Sequence, residues 1–181
     1  MANNDSIAEA LREASLVLEH NGVPEAGRDA SSLLSFVLGK DRTFLISHAE
    51  DPVDGDSLDR LREFVERRAT GEPLQYITGV QDFYGREFRV TPDVLIPRPE
   101  TELLVEAALE VSDGESICDV GTGSGCIAIT LLCERPGARA VAVDKSTAAL
   151  EIAKFNASKL SVTDRAVFVV SDCFDALDRN E

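Results

Sequence analysis

The residues best suited to chemistry are a run of glycines and three acids. Gly121, Gly123 and Gly125 stand in Asp119-Val120-Gly121-Thr122-Gly123-Ser124-Gly125-Cys126, a G-x-G-x-G loop. Glycine has no Cβ, so it accepts positive φ and lets a ligand come close to the backbone. Such a turn, opening a helix, is expected to aim free N–H groups at a ligand where the helix dipole is positive. Asp119, Asp144 and Asp172 each stand at or just after the end of a short apolar run. Together these residues describe a site that grips a polar, nucleotide-like ligand through backbone and carboxylates.

The elements that must position them can be read from period and punctuation. Segments 116–120, 140–144 and 166–170 are short and rich in β-branched or small apolar residues, as buried strands are. Between them, 125–134 and 146–159 read as helices, the second with Ala149, Leu150, Ala153 and Leu160 inward. Alternating strand and helix predicts a parallel sheet with right-handed crossovers. Ligands in such sheets bind beyond the carboxyl ends of the strands, where the three acids fall. An acid at the position of Asp144 bonds ribose hydroxyls in dinucleotide and other nucleoside sites alike. The glycine spacing separates the two: Cys126 stands where the dinucleotide pattern needs Gly or Ala. A ligand with ribose and adenine but no pyrophosphate fits better, and S-adenosylmethionine is the obvious candidate. A nicotinamide-dependent oxidoreductase is the competing enzyme class.

Residues 1–72 read as four short amphipathic helices in a small bundle. Asp5 or Ser6 is expected to cap the first, whose apolar face is Ile7, Ala10, Leu11, Ala14 and Leu18. The second carries Ala30, Leu33, Leu34, Val37 and Leu38 and stops at Gly39; a short segment, 43–46, follows. Asp56 or Ser57 is expected to cap the fourth, which carries Leu58, Leu61, Phe64, Val65 and Arg68. No catalytic constellation stands here, so the bundle reads as an accessory or docking domain. Residues 73–97 read as a β-hairpin linker with its turn near Gly85, between Phe83-Tyr84 and Phe88-Arg89-Val90. Leu95-Ile96-Pro97-Arg98-Pro99-Glu100-Thr101-Glu102 reads as a stiff extended segment opening a helix that carries Leu103, Leu104, Ala107, Ala108 and Val111.

Composition narrows the classes. The formal charge of the 181 residues is -15, with acids spread along both halves. That surface argues against bare nucleic acid as a partner. It favours solubility or a basic protein partner. No stretch has the apolar length of a membrane span, and the N-terminus is not a signal peptide. Cys118, Cys126, Cys133 and Cys173 form no C-x-x-C and lie in apolar segments. They read as reduced, mostly buried thiols of a cytoplasmic protein, with no metal site.

The glycine loop resembles the first motif of class I S-adenosylmethionine-dependent methyltransferases. Gly71-Glu72-Pro73-Leu74-Gln75-Tyr76-Ile77, Phe83-Tyr84-Gly85 and Ile96-Pro97-Arg98-Pro99-Glu100-Thr101-Glu102 together resemble the peptide chain release factor glutamine N5-methyltransferases. A sibling family methylates a ribosomal-protein glutamine, with Ser after Pro-Arg where this chain has Pro-Glu-Thr-Glu. The resemblance implies an α/β fold: a helical docking domain (1–72), the hairpin linker (73–97) and the first half of a Rossmann-like class I methyltransferase sheet (98–181). It implies that Gly121, Thr122, Gly123, Ser124 and Gly125 contact the methionine part of the cofactor. Asp144 would hold the ribose, Asp172 and Cys173 would border the adenine, and Pro97, Arg98 and Glu100 would shape the entrance. The implied partner is a release factor, docked by the helical domain, whose Gly-Gly-Gln loop presents the target amide.

One departure limits the expectation. The family's catalytic Asn-Pro-Pro-Tyr is absent from these residues, which close with Asp178-Arg179-Asn180-Glu181. The chain therefore reads as the N-terminal part of such an enzyme, inactive alone and prone to self-association through an unfinished sheet. A non-catalytic docking module is the alternative reading.

Overall fold

A computed structural model describes residues 5–111 and 116–176. The closing Asp178–Glu181, read above as the run toward a missing strand, lies outside them. The chain divides into two units, Met1–Thr78 and Gly79–Glu181.

The first unit is five helices: α1 (Ile7–His20), α2 (Ala26–Leu38), α3 (Arg42–Ser47), α4 (Gly55–Ala69) and α5 (Leu74–Thr78). Ser6 caps α1 in a full capping box with Glu9, which satisfies two amide donors that the helix cannot use itself. Further N-terminal donors of α1 reach the loop before α4: Ile7 N–H donates to Asp51 O and Ala8 N–H to Ala49 O. The core is the apolar set read from the period: Ile7, Ala10, Ala14, Leu18, Leu33, Leu34, Val37, Leu58, Leu61 and Val65 are buried together. Each Ile, Leu or Val side chain among them, taken fully from water, is worth about 1.5–3 kcal/mol. Arg68, on the inward stripe of α4, pairs with Asp29 of α2 at 2.8 Å.

Two local readings change. Asp54, not Asp56 or Ser57, caps α4 and accepts from Ser57 N–H; the helix starts two or three residues earlier because the Asp54 carboxylate satisfies that amide. Leu74–Thr78 is a helical turn and not part of a hairpin, because Ile77 is drawn into the helical core. Arg67 grips Glu72 through two bonds (2.9 and 2.6 Å) and holds its carboxyl below its ordinary pKa. The helical unit therefore runs to residue 78 rather than 72.

The second unit contains β1 (Val80–Phe83), β2 (Arg86–Arg89), α6 (Glu100–Val111), β3 (Ser116–Val120), α7 (Cys126–Glu134), β4 (Arg139–Asp144), α8 (Thr147–Lys159) and β5 (Ala166–Val170). β3, β4 and β5 form a parallel sheet in that order, with Asp119 opposite Ala142 and Asp144 opposite Val170. β1 and β2 form an antiparallel hairpin. The hairpin is not a linker: Phe83 and Phe88 are buried in the same core as Ile129, Leu132, Ala140, Ala142 and Ala157. Tyr84 N–H in its turn donates to Glu102 of α6 (2.7 Å). Arg86 pairs with Glu134 of α7 and Lys159 of α8 with Glu87. The α6 face also differs from the reading. Val105 is buried, whereas Leu103 and Leu104 are exposed, because the side turned to α7 is set by Val105, Ala108 and Leu109.

The helices cover the sheet face carrying Ile117, Ala140, Ala142 and Phe168. Val120 and Val167 on the opposite face are exposed. So is Cys118, and Cys173 after β5 is exposed too, which corrects the expectation of mostly buried cysteines; Cys126 alone of the four is buried.

Among the described residues, Thr130 Oγ1 is a buried side-chain oxygen with no hydrogen-bond partner. A desolvated, unpaired hydroxyl costs about 1–3 kcal/mol. Thr130→Val is therefore expected to raise the urea midpoint of unfolding, by about 1 kcal/mol of stability; a lower midpoint would show that the hydroxyl is paired.

Candidate functional site

The loop between β3 and α7 is shaped from within. Gly121, Gly123 and Gly125 all have positive φ (76°, 56° and 79°). At Gly125 space is also limiting. A Cβ there would lie 2.6 Å from Ile129 Cδ1 and 3.2 Å from Ala153 Cβ, so the loop rests tightly on the α8 helix, and a methyl group would have to displace the tip of Ile129 and press on Ala153.

Four of the loop's amides, those of Gly121, Thr122, Gly123 and Gly125, point inward, which corrects for them the expectation that they are free for a ligand. Gly121 and Thr122 N–H both donate to Val143 O at 2.9 Å, and Gly125 N–H donates to Thr122 O at 2.8 Å. Gly123 N–H donates to Asp144 Oδ2 at 2.9 Å. The physical reason is the β3–β4 pairing: it brings the end of β4 under the turn, where its carbonyl and carboxylate take up the donors.

Two carboxylates flank this turn. Asp119 Oδ2 accepts from Thr122 Oγ1 (2.7 Å) and from Ala128 N–H in the first turn of α7 (3.3 Å). Asp144 takes Gly123 N–H on one oxygen and Ser146 N–H on the other (2.9 Å). Each oxygen keeps a further lone pair for a ligand hydroxyl. Burial pushes the Asp119 carboxyl above its ordinary pKa, against the bonds from Thr122 and Ala128, and the charge of Asp144 adds to the rise. Burial likewise pushes the Cys126 thiol up to about 11. It is held as a neutral packing group and not as a nucleophile.

The other expected site residues are distributed as follows. Thr122, Ser124 and Gly125 are buried within the loop. Ser171 N–H donates to Asp144 O (3.1 Å), which ties the turn holding Asp172 and Cys173 to the end of β4. Both residues are exposed there, and Cys173 has φ 51°. Pro97 is buried, while Arg98 and Glu100 are exposed at the start of α6. Arg98 O and Pro99 O accept from Thr101 and Glu102 N–H. No hydrogen bond joins Arg98 or Glu100 to the glycine loop.

Two contributions are not legible in the sequence. Asp119 stands there as one of three strand-end acids, and only the structure shows that it organises the loop. Asn156 of α8 has one signal, a polar residue on an otherwise apolar inward face with Ala149, Ala153 and Ala157.

The parallel sheet, the glycine turn and the acid after the second strand define the Rossmann-like half of a class I methyltransferase fold. Residues 9–79 match the family described as PrmC N-terminal domain. Residues 93–180 match the one described as precorrin methyltransferase domain. A release factor glutamine methyltransferase of Burkholderia pseudomallei is 49% identical over 157 residues, 83% of this chain and 55% of that protein. One from Koribacter versatilis is 46% identical over 176 residues, 96% of this chain and 62% of that protein. A solved RNA methyltransferase from Salinibacter ruber, in complex with S-adenosylhomocysteine, is 30% identical; the match covers 45% of this chain and 53% of that one, with a TM-score of 0.40. The chain belongs to the release factor glutamine methyltransferase family, and it spans 55–62% of the length of the two named relatives.

Two outcomes test the geometry. Gly125→Ala is expected to cost about 1–3 kcal/mol, because it forces a side chain into the left-handed region and against Ile129; an unchanged melting temperature would refute the tight seat on α8. The raised pKa of Asp119 means that the folded chain holds this proton more tightly than the unfolded one. Its favourable contribution is complete below the unfolded pKa of about 3.9 and is lost as pH rises through the folded value. The stability of the wild type relative to Asp119→Asn is expected to fall across that rise, read as melting temperature against pH; a difference that stays level would contradict it.

Proposed function

We propose that residues 79–176 form the S-adenosylmethionine half-site of an enzyme that methylates the glutamine side-chain amide in the Gly-Gly-Gln loop of peptide chain release factors. The observation that carries this reading is a turn, between two carboxylates, whose amides at Gly121, Thr122, Gly123 and Gly125 are spent inward. A pyrophosphate needs free amides and positive charge; here the Asp119 carboxyl already takes an amide in the first turn of α7. A ligand with ribose hydroxyls and positive charge suits that field, which disfavours a nicotinamide dinucleotide. The names of the relatives, and their span across both units, support the release-factor branch over the ribosomal-protein one.

In this reading Asp144 accepts the ribose hydroxyls with the lone pairs left over from Gly123 and Ser146. Gly121, Thr122, Gly123, Ser124 and Gly125 contour the methionine part. Asp172 and Cys173 border the adenine, and Pro97, Arg98 and Glu100 shape the entrance. The bound cofactor supplies an electrophilic methyl group on a sulfonium. An amide nitrogen is a weak nucleophile, so the transfer depends on positioning and on acceptors for its hydrogens. These 181 residues contain no Asn-Pro-Pro-Tyr to supply those acceptors. The helical unit docks the release factor, and the place of action is the cytoplasm.

Calorimetric titration with S-adenosylhomocysteine, with NAD as control, tests the half-site. Saturable binding of the first alone is expected, weakened about tenfold or more by Asp144→Ala, as for loss of a charged hydrogen bond. Binding of NAD alone would overturn the reading. No methylation of a release factor by the 181-residue chain is expected; turnover would show that the acceptors lie elsewhere.

A further inference from the structure

Asn156 is fully buried, and its side-chain amide makes three hydrogen bonds to backbone of two separate segments. Its Oδ1 accepts from Arg89 N–H (2.8 Å), and its Nδ2 donates to Arg89 O (3.0 Å). The remaining Nδ2 proton goes to Ser124 O (2.9 Å). The carboxamide thus pairs with β2 as a peptide group of a neighbouring strand would. With its spare proton it holds the glycine loop. One helical turn earlier on α8, Ala153 is the surface on which Gly125 rests. The ring of Phe155, beside Asn156, takes the Arg89 guanidinium at 4.7 Å.

We propose that Asn156 is a positioning residue that fixes the backbone of the glycine loop and couples its position to the β1–β2 hairpin. The proposal rests on the half-site reading above for its consequence in binding. No other side chain of the described residues bonds both segments. The loop's own bonds run to β4, through Val143 and Asp144, and the hairpin's run to α6, α7 and α8. Asn156 is where the two sets meet. A buried amide that only filled space would need no more than its own satisfaction. This one consumes a carbonyl of the turn that contours the ligand, at the residue between Gly123 and Gly125. A hairpin shifted by a bound partner would therefore move the loop, and a ligand ordering the loop would order the hairpin.

The test compares Asn156→Ala and Asn156→Ser with Val162→Ala, a core truncation at a buried residue of the second unit, in the 181-residue chain. Amide hydrogen exchange of the ligand-free proteins is read by NMR. Both Asn156 variants are expected to speed exchange at Gly123 and Gly125 tenfold or more relative to β4 amides. Val162→Ala is expected to change loop and strand together. Loop exchange that stays in proportion to the strand in the Asn156 variants would overturn the proposal. Affinity for S-adenosylhomocysteine is expected to fall at least tenfold in the Asn156 variants and less than twofold in Val162→Ala; equal affinities in all three would also overturn it. Should the Asn156 variants not fold, the wild type still decides. Saturating S-adenosylhomocysteine is expected to shift the Asn156 side-chain amide resonances together with Gly123 and Gly125, and shifts confined to the glycines would refute the coupling. If the wild type does not bind S-adenosylhomocysteine, the cofactor reading fails by itself, and the exchange profile of the variants, or of the wild-type Asn156 and Arg89 amides if the variants do not fold, still judges Asn156.

Discussion

The close seat of Gly125 on Ala153 sets the rest of the α/β unit. A Cβ at Gly125 would stand only 3.2 Å from Ala153 Cβ, so the turn after β3 lies directly on α8. That contact fixes how far α7 can stand from α8, and it places Ser124 within reach of Asn156. It also brings the turn over the end of β4, so that Val143 and Asp144 become the acceptors for its amides. A larger residue at 125 or 153 would press on this contact, and in a closely packed interior that strain is passed to the neighbouring turn.

The electrostatics follow from that geometry. Two carboxylates end up beside one turn because the parallel register sets the ends of β3 and β4 next to each other. Asp119 sits in a drier place and is driven toward the neutral form by burial. Asp144 is half-buried, with a backbone donor on each oxygen and capacity remaining. A site of this kind welcomes positive charge and hydroxyl groups and resists phosphate. The preference therefore arises from which donors the fold has consumed as much as from which acids it presents.

The hairpin shows how a segment can be read correctly in type and wrongly in role. Its strands and its turn at Tyr84-Gly85 agree with the aromatic and β-branched pattern. Its membership in the second unit rests on Phe83 and Phe88 entering a core made of residues far along the chain. It rests also on Glu102, Glu134 and Asn156 meeting its backbone and side chains. None of those partners is near it in sequence.

By itself the sequence determined the five strands and the long helices, most of the core of the helical unit, the glycine turn and the acid at its far end. These are local properties: period, capping and glycine placement act within a few residues, so they are written where they act. Even there, Asp54 displaced the expected cap of α4, and Leu74–Thr78 became helical, because a nearby donor and a nearby core competed with propensity. Only the tertiary structure decided that the loop amides face inward, that Asp119 and Asn156 organise the turn, that Cys118 and Cys173 are exposed, and that Leu103 and Leu104 face away from α7. Each of those depends on which distant segment arrives at a given face. Hydrogen bonds and burial between residues 20 to 70 positions apart, as from Asn156 to Ser124 and Arg89, carry no mark in the local pattern; Asp119 bonds close in sequence, but its burial comes from the packed sheet and helices.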